Sequence, residues 1–167
     1  YVAAYTSRNL PDAYIVSAFW AGQKGSLLFW AVVLSLFASG AQLLTSRRFS
    51  HLMPYVAGVT SAVVTFFVGT MIFSSDPFER LAFTPADGRG LNPQLQNVGM
   101  VIHPPMLYLG YISITIPFAF AVAALLSRRL DIGWLHAIRK WTLVSGLFLS
   151  IGITLGMWWA YVELGWG

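Results

Sequence analysis

One histidine poses the chemical question in this 167-residue chain. It is His103, in the run Met100-Val101-Ile102-His103-Pro104-Pro105-Met106-Leu107-Tyr108. It stands at the entrance of a long apolar segment, where a metal-capable side chain raises a functional question that an apolar residue does not. Neutral imidazole suits iron, and one ring nitrogen can bind metal while the other is held by a hydrogen-bond acceptor. His103 is therefore a candidate axial ligand of haem iron. The competing reading is a polar helix cap at the membrane surface. Pro104 disfavours helical geometry at the residue before it, so the sequence predicts an imidazole projecting out of the helix toward a cavity.

A second group of candidates lies near the end of the chain, in Trp158-Trp159-Ala160-Tyr161 and Glu163-Leu164-Gly165-Trp166-Gly167. An interfacial aromatic belt accounts for it. So does a flat aromatic platform for a planar macrocycle, with Trp158, Trp159 and Trp166 as its contacts. Gly152 and Gly156, one helical turn apart, permit close approach of a neighbouring helix or of a ring. Glu163 is either a boundary residue or a partner for Arg80 or Arg89.

The elements that must position these groups follow from composition. The chain is 57% hydrophobic and 10% charged, with a mean hydropathy of +0.67. Soluble domains carry about 25% charged residues, so this chain lacks the polar surface to cover a globule in water. An all-α, polytopic transmembrane bundle is expected, in a single membrane domain. Four segments reach the roughly 20 apolar residues that a span needs: Ser26 to Leu44, Pro54 to Phe73, Pro104 to Leu126 and Trp141 to Leu164. Pro117, inside the third, is expected to kink it or free a carbonyl. The loop over 74–103 is rich in turn formers and holds no run long enough to span. The stretch from Ala13 to Trp20 is apolar but short, and is expected at the outer interface or as the tail of an earlier helix.

Charge sets the orientation. Arg47 and Arg48 follow the first span, and Arg128, Arg129, Arg139 and Lys140 follow the third, against Asp131 alone. Positive-inside reasoning puts these connections in the cytoplasm and the long loop outside, which in a bacterium is the periplasm. His51 and His136 then fall on the cytoplasmic side, as solvated interface residues. A span of about 30 Å keeps both from sharing a metal with His103.

Several function classes are excluded. The net charge of +4 and pI near 9.7 come from scattered or span-flanking basic residues, so nucleic acid is not the expected partner. With no cysteine, the chain cannot exchange thiols or build a thiolate metal site. No phosphate-binding glycine loop, His-Glu-x-x-His or nucleophile beside a base is present. Lacking acids in the first three spans, the chain does not resemble a carboxylate-relay transporter. The start at Tyr1 and the end in Gly165-Trp166-Gly167 suggest part of a longer polypeptide.

Several ordered motifs carry a family resemblance. They are Gly22-Gln23-Lys24-Gly25-Ser26-Leu27-Leu28-Phe29-Trp30, Asp76-Pro77-Phe78-Glu79-Arg80-Leu81, Gly90-Leu91-Asn92-Pro93, His103-Pro104-Pro105-Met106-Leu107-Tyr108-Leu109-Gly110-Tyr111 and Trp159-Ala160-Tyr161-Val162-Glu163-Leu164-Gly165-Trp166-Gly167. Together the chain resembles the CcmF family of cytochrome c-type biogenesis proteins along nearly its whole length. The resemblance implies a haem-handling protein of the inner membrane, acting at the periplasmic face within a haem lyase. It implies haem b as the bound group and a haem chaperone as its donor. Apocytochrome c, with its thiol-reducing proteins, is the implied recipient. It also implies that His103 is one of two outer haem ligands. The tryptophan-rich segment used against haem begins just after Gly-Trp-Gly, so Trp166 and Gly167 stand at its threshold. The chain departs from the pattern at Gln23-Lys24, where His-Glu is common, at Asp76, where Asn is common, and at Asn97-Val98, where Asp-Pro is common. These departures put outer-loop contacts in doubt rather than the ligand. With half the ligands elsewhere, the chain alone is not expected to hold haem stably. The reading from another class is a transporter or channel subunit without haem, and a third is a scaffold for assembly proteins.

Overall fold

Hydrocarbon offers no partner to a backbone N–H or C=O, so each long apolar segment must satisfy its own groups by becoming helical. The computed structural model describes residues 1–45, 49–128 and 132–166, in seven α-helices and no strand among them. Arg47, Arg48, Arg129 and Asp131, on which the orientation partly rests, and Gly167 lie outside the described residues. Two short helices, α1 (Val2–Tyr5) and α2 (Asp12–Ser17), and a 3-10 turn (Ala18–Trp20) precede α3 (Gln23–Thr45) and α4 (Met53–Ser74). After the long loop come α5 (Val98–Ser113), α6 (Thr115–Leu126) and α7 (Gly133–Leu164). Among the described residues, helices α3, α4, α5 with α6, and α7 are the four units long and apolar enough to cross a membrane. The protein is an all-α membrane bundle, as its composition requires.

Two boundaries differ from those read in the sequence. The third span begins at Val98, not Pro104, because the Asn97 side chain accepts from Gly99 N at 2.8 Å and caps the helix there. The outer loop therefore ends at Asn97. Helix α7 begins at Gly133, not Trp141, and carries Arg139 and Lys140 within it. Its 32 residues rise about 48 Å, well beyond the roughly 30 Å of hydrocarbon. Pro117 behaves as expected. It has no N–H for the Ser113 carbonyl, and the third span breaks at Ile114 into α5 and α6.

The bundle packs around this third span. Ile116, Ala119, Phe120 and Ala123 of α6 are fully buried against Ala38 and Ala41 of α3 and Leu52 and Val56 at the start of α4. Val33, Leu34 and Ile112 form a second cluster, closed by Trp30, Phe67 and Tyr108. Helix α5 runs antiparallel along α7. Its residues Gly99, His103, Leu107, Gly110 and Ser113 meet Trp159, Gly156, Gly152, Leu149 and Ser145 in turn. Ser113 and Ser145 hydroxyls hydrogen bond at 2.8 Å in this buried seam.

The N-terminal stretch lies across the loop end of the bundle. Arg89 N donates to Ala3 O at 2.8 Å, Gly90 N to Thr6 O at 3.0 Å, and Arg8 N to Asp87 Oδ1 at 3.0 Å. Gly25 makes the close approach possible, since a Cβ there would stand 1.8 Å from Phe19 O. Lys24, in the first turn of α3, pairs with Glu79, and its hydrogen bond and charge hold that carboxyl below its usual range. The pair is exposed and so ties the loop down only weakly.

Pro104 and Pro105 sit inside α5 and cannot donate to the carbonyls of Met100 and Val101. Trp20 Nε1 supplies the missing donor to Met100 O at 3.0 Å. Replacing Trp20 with Phe keeps the ring but orphans that carbonyl. We expect this to destabilise the full-length protein by about 1–3 kcal/mol. Equilibrium unfolding in detergent checks this; an unchanged midpoint would mean another donor satisfies Met100 O.

Candidate functional site

His103 is the sixth residue of α5, inside the helix rather than ahead of it. The expectation that Pro104 forces it out of helical geometry is therefore corrected. The Asn97 cap starts the helix a turn and a half earlier, and the Trp20 indole offsets one lost backbone bond. The helical position turns the half-buried imidazole toward α7. His103 Nδ1 lies 2.7 Å from Gly152 O. A carbonyl only accepts, so Nδ1 carries the proton in this contact. The neutral ring then keeps its lone pair on Nε2, the tautomer a metal requires.

Glycine makes the space for that ring. A Cβ on Gly156 would lie 2.5 Å from His103 Cε1, and one on Gly152 would lie 2.8 Å from Leu107 N. Both glycines thus serve close packing of α7 on α5, Gly152 against Leu107 and Gly156 against the His103 imidazole. Trp159 closes the same site. Its indole centroid is 5.9 Å from the imidazole and tilted by 51°, and it lies across Gly99, where a Cβ would be 2.5 Å from Trp159 Cγ. Trp159 Nε1 is buried without a hydrogen-bond partner among the described residues.

The other tryptophans are placed differently. Trp158, 48% exposed, and Trp166, 74% exposed, make no ring contact among the described residues. A cleft of about 280 Å³ opens beside Trp159 and Gly156, bounded by Leu95, Ala160, Glu163 and Leu164. Ligand sites commonly occupy about 300–1,000 Å³, so this cleft alone does not enclose a large ligand, and His103, expected to face a cavity, is not among the residues that line it. The residues fit a planar iron macrocycle in donor chemistry: one imidazole with a free Nε2, an aromatic neighbour and an unpaired indole N–H. No group of three or more metal-ligating side chains occurs among the described residues.

Glu163 finds neither Arg80 nor Arg89. Its Oε1 accepts from Asn97 Nδ2, so one asparagine caps α5 and holds the last turn of α7. No local pattern joins residues 66 apart. Asn97→Ala removes cap and tether together, and we expect about 1 kcal/mol of destabilisation with faster proteolysis near residue 97. Proteolysis at the parent rate would contradict it.

The fold and site define a polytopic helical membrane protein with one imidazole fixed between two antiparallel spans near its loop end. The family model for cytochrome C assembly proteins matches residues 20–167, and the chain belongs to that family. It is 46% identical to the cytochrome c-type biogenesis protein CcmF of Pseudomonas aeruginosa over 168 aligned positions, covering 100% of this chain and 26% of that protein. It is 42% identical to CcmF of Escherichia coli and 41% identical to NrfE of Haemophilus influenzae, with the same coverage of each. The chain thus spans about a quarter of the length of these relatives. No solved structure matches it.

Proposed function

We propose that this chain forms part of the periplasmic haem-holding face of a cytochrome c maturation protein in the bacterial inner membrane. Haem b would be the bound group, with His103 Nε2 holding its iron and Trp159 packing beside it. Trp158 and Trp166, exposed beyond the cleft, meet the macrocycle or the remaining walls of the site. The observation that carries this reading is the His103 Nδ1 to Gly152 O hydrogen bond, which holds the ring by one nitrogen and leaves the other for iron. Membership of the cytochrome C assembly family supports it. A haem chaperone would deliver the group. Apocytochrome c, kept reduced by its thiol partners, would receive it.

The bound haem would supply vinyl groups for thioether formation with cytochrome thiols. The chain's own residues contribute orientation: α5 and α7 fix the imidazole, and Trp159 limits access of water on one side. The carrying experiment is an absorption spectrum of the full-length protein purified with haem. A histidine-ligated Soret band lost on substitution of His103 supports the reading. Solute transport by haem-free vesicles would favour a transporter subunit instead.

A further inference from the structure

A cavity of about 440 Å³ lies at the end of the bundle opposite His103. Leu44, at the end of α3, and Phe49 form one wall, while His136, Lys140, Trp141 and Val144 of α7 form the other. His136 and Lys140 are four residues apart and so share one helix face. Both are exposed on the rim, and Lys140 makes no ion pair among the described residues. Trp141 is fixed against Phe37, edge to face at 5.9 Å. The cavity therefore has a cationic rim above an apolar floor.

Its depth is set by α7. The segment from Trp141 to Leu164 spans the hydrocarbon alone at about 1.5 Å per residue, which leaves Lys140 at headgroup level. Electrostatics at this end are one-sided. Among the described residues, Arg128, Arg139 and Lys140 lie here without an acid, while Asp12, Asp76, Glu79, Asp87 and Glu163 belong to the other end. Basic pockets between spans on the cytoplasmic side suit phosphate headgroups.

We propose that this cavity binds one anionic phospholipid. Lys140 meets its phosphate diester, His136 completes the polar rim, and an acyl chain lies along Leu44, Phe49 and Val144. A free phosphate would match the rim but leave the apolar floor unused, so the floor favours a lipid. The site is independent of the haem reading, because none of its residues approaches His103.

The test uses the full-length protein in nanodiscs of equal zwitterionic and anionic phospholipid, with retained lipids counted by native mass spectrometry. The parent should retain an anionic lipid that Lys140→Gln loses by about fivefold, as expected for one cation at an anionic surface. Lys140→Arg should retain it, which separates charge loss from misfolding. Arg139→Gln makes the same charge change outside the cavity and should alter retention less than twofold. Equal losses from Lys140→Gln and Arg139→Gln would reduce the effect to general surface charge and overturn the proposal. So would equal retention of zwitterionic and anionic lipid by the parent. A second arm adds inorganic phosphate to nanodiscs of zwitterionic lipid alone. No rise in thermal stability is expected there, and a rise abolished by Lys140→Gln would assign the cavity to soluble phosphate instead.

Discussion

Substituting His103 with alanine in the full-length protein should cut haem retention and cytochrome c yield at least tenfold. A purely structural role predicts much less. The imidazole makes one interhelical hydrogen bond, to Gly152 O, and such bonds within membranes average about 0.6 kcal/mol, or roughly threefold in an equilibrium. Loss of an iron ligand has no such ceiling. His103→Gln separates the two cases further, because an amide N–H can still donate to a carbonyl while offering iron no imidazole. We expect His103→Gln to fold like the parent and lose the histidine-ligated Soret band. Normal cytochrome maturation in both variants would remove His103 from the haem site and leave it a packing residue.

The second large effect should come from a position with no donor atom. Gly156→Leu leaves every candidate ligand in place, yet its Cβ alone would fall 2.5 Å from His103 Cε1 and 2.9 Å from Nδ1. The imidazole must move, or α5 and α7 must separate. Overpacking of this kind costs about 1–3 kcal/mol, and here it is aimed at the group proposed to bind iron. We expect unfolding at lower denaturant together with a loss of haem retention approaching that of His103→Ala. Gly146→Ala on the same helix is the control, since no atom lies within 4 Å of the added methyl. It should lower neither stability nor haem content. Parent-like stability and haem content in Gly156→Leu would show that the helices do not approach this closely.

Much of the architecture was legible beforehand. The expected first and second spans lie within one to three residues of α3 and α4, because hydrocarbon leaves helices as the only economical answer for such segments. The break caused by Pro117 was legible for a similar local reason: a missing N–H acts on the preceding turn wherever it occurs. The rule for a residue before proline misplaces His103 because it too is local. It was outweighed by a cap at Asn97 and by an indole at Trp20, donated from 80 residues away. The sequence offers Glu163 as a boundary residue or as a partner for Arg80 or Arg89, whereas its partner is an asparagine that no charge pattern marks.

The sequence by itself determined a helical membrane protein with four spans, a basic end and one histidine placed where metal chemistry is plausible. These follow from composition, run length and charge, which act residue by residue. Only the tertiary structure decided which face of α7 meets α5, which nitrogen of His103 is engaged, and that Trp159 rather than Trp158 or Trp166 stands beside it. Spans that are apolar all round carry no amphipathic stripe to mark the buried side. That choice falls to the small residues Gly99, Gly110, Gly152 and Gly156, whose fit can be judged only when both helices are present.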